Sequence, residues 1–261
     1  MSPRFPPKLP IVGTPISITT YDEVQELLAT PLTDRATVVA VCNVHSVMTA
    51  RRHPELSEAL RQADIATPDG MPLVWGLRAF GRKQRGRVYG PDLMHYALVD
   101  QESTHRHFFF GSTPETLDKL QAVIRRLNPD VQMVGAVAPP FRALTQSEED
   151  EVLKEIRRSG ASVIWVGLGM PKQELWMYRV KDSLPGVTLL GVGAAFDFLA
   201  GTKRQAPSWM QKSGLEWLYR LLQEPRRLWR RYLWNNPAFL VLLALQVARQ
   251  RGPVRRRRHE P

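Results

Sequence analysis

Through the first two hundred residues, short apolar runs alternate with longer stretches whose apolar positions recur at helical spacing. The runs Thr37–Cys42 (TVVAVC), Asp64–Thr67, His107–Phe110, Val131–Ala136, Ser162–Val166 and Val187–Val192 read as strands. The stretches near 46–61, 71–80, 91–101, 114–127, 146–158 and 171–181 read as helices. Strand and helix in steady alternation predict an α/β fold, a Rossmann-like, mostly parallel sheet flanked by helices. After Gly201 the pattern changes to helical stretches dense in arginine and interrupted by Pro207, Pro225 and Pro237. We therefore divide the chain into an α/β core, residues 1–203, and a helical, basic appendage, residues 204–261. Within the appendage the apolar run Ala238–Ala248 is only about half the roughly 20 residues a spanning helix needs, and it ends in Arg249 and Arg251. It is expected to lie in the plane of a membrane surface as an amphipathic helix.

With 261 residues and 43% hydrophobic content, the chain can bury a substantial core, which excludes global disorder. The net charge of +11 is not spread evenly. Residues 1–200 carry as many acidic as basic side chains, whereas residues 201–261 hold 14 basic residues against Glu216, Glu224 and Glu260. Four Trp and two Tyr are interleaved with these arginines. Such a segment suits anionic lipid headgroups and equally suits nucleic acid, so charge alone does not choose between them. The single cysteine, Cys42, cannot close an internal disulfide, and the N-terminal MSPRFPPKLP has no apolar signal region, so a reducing cytoplasm is expected.

The unusual residues cluster just after the strands: Asn43, Pro68-Asp69-Gly70, Gly111-Ser112, Gly167-Leu168-Gly169 and Gly193. In doubly wound sheets that edge binds the ligand. Neither Gly167-x-Gly169 nor Gly191-x-Gly193 completes GxGxxG, which disfavours a dinucleotide dehydrogenase. There is no phosphate-binding GxxxxGK[ST] loop, no metal-spaced His/Cys cluster and no Asp-x-Asp, so neither an essential metal nor a cofactor is expected. Gly111 to Pro114 reads as a strand end and helix start, where exposed amides hold an anion or simply cap a helix. Pro171 fits the first position of a helix that would put Lys172, Gln173 and Glu174, with Gly169 before them, within reach of a sugar nucleotide or merely at the surface. Asp69 and Asn43 read locally as turn residues bonding their own backbone. Their joint placement at strand C-terminal ends also suits a carboxylate that takes a hydroxyl proton beside an amide that orients the acceptor.

Seven ordered blocks carry a family resemblance: VCNVHS (41–46), ATPDGMPLVW (66–75), VYGPDLM (88–94), FFFGSTPE (108–115), GLGMPKQELW (167–176), GVGAAFDFLAG (191–201) and GLEWLYRLLQEPRRLWRRYL (214–233). The chain resembles the WecG/TagA/CpsF family, glycosyltransferase family 26. The resemblance implies transfer of a hexose or N-acetylhexosamine, with N-acetylmannosamine the favoured type, from a UDP-sugar to a polyprenyl-diphosphate-linked sugar. It further implies inversion of configuration, no metal, and work at the cytoplasmic face of the bacterial inner membrane as a peripheral protein building surface polysaccharide. By the same carry-over Asp69 is the general base, with Asn43 beside it. Gln173 contacts substrate, and Arg220, Arg227 and Arg230 of the appendage meet the leaving diphosphate. Spaced by seven and three, these arginines would share one face of a continuous helix, which Pro225 interrupts or does not. The chain departs from the family pattern at Val41, where a Thr is frequent, and at Gln205, where an Arg is usual, so donor identity stays open.

Two other readings stand beside this one: a nucleic-acid-binding protein whose tail tracks phosphates, and an inactive family member serving as a membrane scaffold. The main reading expects no nucleic-acid partner and leaves a homo-oligomer open.

Overall fold

The computed structural model describes residues 5–100 and 104–251. The chain opens with an antiparallel hairpin, β1 (Lys8–Ile11) and β2 (Thr14–Ser17), followed by helix α1 (Tyr21–Ala29). The apolar pattern does not predict the hairpin, because each four-residue strand contains a proline, Pro10 or Pro15, that disguises its alternation. Six strands follow: β3 (Thr37–Cys42), β4 (Ile65–Pro68), β5 (Arg106–Gly111), β6 (Gln132–Val137), β7 (Val163–Gly167) and β8 (Thr188–Gly191). All are parallel, in the order β4-β3-β8-β7-β5-β6. This is the expected α/β architecture.

Strands buried on both faces need apolar side chains at successive positions, and β3 is buried throughout. Val38, Ala40 and Cys42 face one core cluster, while Val39 and Val41 face the other. The first face is covered by α2 (Val44–Ala50), α3 (Pro54–Gln62), α4 (Met71–Ala79), α7 (Gln146–Ser159) and α8 (Lys172–Val180). The second is covered by α1, α5 (Gly90–His95, continued as one π-helical turn), α6 (Pro114–Leu127) and α9 (Ala195–Leu199). The single helix expected over 46–61 is two, because Pro54 cannot donate an interior helical bond and instead starts α3.

Past Gly201 come α10 (Ser208–Lys212), α11 (Glu216–Gln223) and α12 (Pro225–Arg251). Pro225 separates α11 from α12, so Arg220 and Arg227 stand on different helices rather than along one face. Pro237, expected to break the segment, lies inside α12. One side of α12 buries Leu228, Tyr232, Asn235, Phe239 and Leu243, spaced by three or four residues, and rests on α2 and α4. Leu243 meets Ile11 and the bare backbone of Gly76, where a Cβ would lie 3.3 Å from both side chains. Gln246 bonds the hairpin at both ends of its amide, accepting from Val12 N–H at 2.8 Å and donating to Pro10 C=O at 2.7 Å. The run Ala238–Ala248 is therefore only half available to a membrane: Phe239 and Leu243 are in the protein core, while Leu240, Val241 and Leu245 are exposed.

Candidate active site

Asn43 follows β3 and caps α2, its Oδ1 accepting from the backbone N–H of His45 at 3.0 Å and of Ser46 at 3.2 Å. That commitment fixes the amide. Its Nδ2 must face away from the helix, and there it donates to Asp69 Oδ2 at 3.4 Å. Asp69 follows the neighbouring strand β4, its own N–H bonded to Cys42 C=O at 2.8 Å, and its Oδ1 accepts from Gly90 N–H at the start of α5 at 3.3 Å. The turn-residue reading of Asn43 holds, and the same side chain also meets Asp69. Asp69 keeps part of its surface open to the cleft but is otherwise enclosed. Burial lifts its carboxyl to about 6, the Glu216 carboxylate adds to the rise, and Arg87, Asn43 and Gly90 oppose it.

Two cavities meet at this pair. The larger, about 470 Å³, runs over the C-terminal ends of β3, β5, β7 and β8 and is floored by Ser112, Thr113, Gly167–Met170 and Val192–Phe198. The smaller, about 90 Å³, lies under the appendage and is walled by Met71, Pro72, Trp217 and Tyr232, with Arg87 and Glu216 among its polar groups. Asn43, His45, Asp69, Arg220 and Arg231 line both. His45 is neutral, held down at about 3 by burial and by Arg231 and Arg52, and its Nδ1 sits 3.1 Å from Asn235 Nδ2.

Cations crowd the larger cleft: Lys203 from the end of the core, and Arg220, Arg227 and Arg231 from the appendage. Lys203 pairs with Asp197 at 3.1 Å, and Arg227 pairs with Glu224. Among the described residues neither Arg220 nor Arg231 has a carboxylate partner, and the buried Nε of Arg231 has no hydrogen-bond partner at all. Burial, with Arg220 and Arg227 adding to it, brings Arg231 down to about 10, so it is still charged at neutral pH. Guanidinium groups held in a cleft without a directly paired carboxylate fit an anion with several oxygens, such as a diphosphate.

The structure brings Asp69, Asn43, Gln173, Gly169, Arg220 and Arg227 to the cleft. Gln173 is buried, its Oε1 accepting from Gly169 N–H at 3.2 Å and its Nε2 donating to Glu174 at 3.0 Å, so it shapes the loop as well as lining it. Pro171 is the residue before α8 rather than its first, after a cis Met170–Pro171 bond. Lys172, at that first position, is exposed and points off the cleft wall, and Glu174 is buried beneath it. Gly111 lies under the floor, where a Cβ would come 2.5 Å from the Gly167 backbone. Arg230 turns to solvent over Trp229, 5.2 Å from its ring centre, while its neighbour Arg231 takes the inward position. Arg231 and the Arg87–Glu216 pair escaped the sequence reading. Only the phase of α12 against the core, set by Leu228, Tyr232 and Phe239, distinguishes Arg231 from Arg230. Of the departures, Val41 lines the cleft beside Asn43 and Gln205 is exposed.

Fold and site together define a doubly wound α/β protein with an anion-ready ligand cleft at the C-terminal edge of its parallel sheet. The model of the glycosyl transferase WecG/TagA/CpsF family matches residues 9–253, and the chain belongs to that family. It is a glycosyltransferase.

Proposed function

We propose that the protein transfers a hexose or N-acetylhexosamine, of N-acetylmannosamine type, from a UDP-sugar to a polyprenyl-diphosphate-linked sugar with inversion. The observation that carries this reading is the shared wall. Asp69 and Asn43 stand between a large cationic cleft and a smaller, aromatic-walled cavity. The donor occupies the cleft, with its diphosphate toward Arg220, Arg227 and Arg231. The acceptor sugar enters the smaller cavity, which is lined by the rings of Trp217 and Tyr232, 5.9 Å apart. Asp69 takes the proton of the acceptor hydroxyl as that oxygen bonds the anomeric carbon. The bond from that carbon to the UDP oxygen breaks on the opposite face, and the arginines meet the charge left on UDP. A carboxyl at about 6 is ionised at neutral pH yet more basic than an ordinary aspartate, which suits a general base.

Residues 204–261 act in this reading as a membrane-facing appendage. Opposite its buried side, α12 exposes Trp229, Leu233, Trp234, Leu240, Val241 and Leu245, flanked by the exposed Arg226, Arg230 and Arg249. Apolar side chains beside arginines fit the interface of an anionic bilayer, which also holds the acceptor's lipid tail. No helix among the described residues is long and apolar enough to cross a membrane. The run Arg255–Arg258, whose charge would add to this attraction, lies outside the described residues.

The test is turnover of radiolabelled UDP-sugars by the full chain with a detergent-dispersed polyprenyl-diphosphate-sugar, with and without a chelator. The expected result is labelled lipid, released UDP and an inverted anomeric configuration, all unaffected by chelator and lost in Asp69→Asn. No lipid product with any donor refutes the assignment. Retained configuration refutes the direct displacement, and chelator sensitivity refutes a diphosphate held by arginine alone.

A further inference from the structure

Arg87 belongs to the core segment that leads into α5, and it shares the smaller cavity with Asp69. A guanidinium beside a carboxylate at a cavity wall would ordinarily pair with it. Here it does not: both of its terminal nitrogens are engaged elsewhere. Nη1 pairs with Glu216 on α11, Nη2 donates to Gln211 Oε1 on α10, and the guanidinium lies 3.9 Å from the ring centre of Tyr89. Both partners come from the appendage, 129 and 124 residues away in sequence. The side chains of Arg87 and Glu216 are only 12% and 14% exposed, so the pair is shielded from water and salt. Its geometry depends on the docked position of α10 and α11.

We propose, building on the reading of Asp69 as the base, that Glu216 is a positioning residue: it holds Arg87 off the catalytic carboxylate and so leaves that carboxylate free to take a proton. Undocking α11 would remove a negative charge from beside Asp69 and leave Arg87 free to pair with it. Both changes weaken the base.

The other groups facing Asp69 do not reproduce this arrangement. From the core they are Tyr21, Cys42, Tyr89 and the neutral His45, with Asp92 beside Arg87 at the start of α5. From the appendage they are Arg220 and Arg231. Glu216 is the one carboxylate the appendage brings to this wall among the described residues, and burial together with Glu216 accounts for the raised proton affinity of Asp69.

Direct titration tests this without knowing the donor sugar. The full chain is labelled with [4-¹³C]aspartate, the Asp69 carboxyl signal is identified by its disappearance in Asp69→Asn, and its midpoint is followed with pH. Glu216→Gln is expected to lower the midpoint by about one unit, and Arg87→Gln to raise it by a similar amount. The double variant should return it toward the wild-type value, and Glu216→Asp should leave it nearly unmoved. Midpoints unmoved in both single variants, or moving in the same direction, overturn the proposal. Should Glu216→Gln fail to fold by circular dichroism, Arg87→Gln decides alone, its midpoint rising or the idea failing. Turnover separates this inference from the reading beneath it. Normal turnover by Asp69→Asn defeats the base assignment, whereas an inactive Asp69→Asn with unmoved midpoints defeats only the role of Glu216.

Discussion

Replacing Asp69 by Asn should stabilise the fold while removing most turnover. The carboxyl rises from its ordinary 3.8 to about 6 on folding, chiefly because burial penalises the charge. At about 1.36 kcal/mol per pH unit, the ionised folded state carries a cost near 3 kcal/mol at neutral pH. Part of the group faces the cleft, so solvent lowers that figure, and Asn keeps an acceptor for Gly90 N–H while meeting the Asn43 amide less well. A net gain of about 1.5 kcal/mol remains, which for a chain of this length is a rise in Tm of roughly 3–6 °C. The sign with pH follows from the direction of the shift. A carboxyl raised on folding favours the folded state below its unfolded value and loses that advantage as pH climbs through about 6. The two proteins should therefore melt together near pH 3.5 and separate above pH 6, with the variant higher. Differential scanning calorimetry from pH 3.5 to 8 measures this, and the turnover assay should show a fall of about 10²–10⁴-fold. A variant that melts lower at pH 8, or a difference independent of pH, would refute the claim that Asp69 is held charged against its surroundings.

Arg231→Gln should weaken binding of UDP, read by isothermal calorimetry, by about tenfold or more, whereas Arg230→Gln should leave it within about twofold; equal losses would return Arg230 to the cleft. Phe239→Ala should cost about 3–5 kcal/mol in urea unfolding, since its ring is fully buried where α12 meets the core, and a loss under 1 kcal/mol would mean α12 is only loosely seated. Replacing Trp234, Leu240, Val241 and Leu245 together by Ser should abolish co-sedimentation with phosphatidylglycerol vesicles while leaving the melting temperature within about 2 °C; unchanged sedimentation would place the membrane contact elsewhere.

All six parallel strands were legible from their apolar runs, because the strands inside the sheet are covered on both faces and leave few positions for polar side chains, and the edge strand β6, only partly covered, keeps an apolar run too. The edge that carries the candidate site was legible too, since Asn43, Asp69, Gly167 and Gly193 each follow such a run and all line the cleft. The hairpin at 8–17 was hidden by Pro10 and Pro15, and the split at Pro54 by apolar positions that keep helical spacing across it. The charge imbalance located the appendage but not its docking. A run such as Ala238–Ala248 is apolar on nearly every side, and composition does not say which side meets protein and which meets lipid. Leu243 goes inward because Ile11 and Gly76, over 160 residues earlier, leave a complementary surface for it, and Phe239, one turn before, is buried on the same side.

The sequence by itself determined the six parallel strands, most of the core helices, the sheet edge where the candidate site lies and the family. Tertiary structure alone decided which side chains face one another. Asp69 gains Asn43 and Gly90 from neighbouring β–α turns, Arg87 gains Glu216 across 129 residues, and one step along α12 puts Arg231 rather than Arg230 in the cleft. The physical reason is range. Helices and strands answer to periodicity within a dozen residues, whereas a desolvated carboxylate and its counter-charges are assembled by packing between segments that have no local influence on each other.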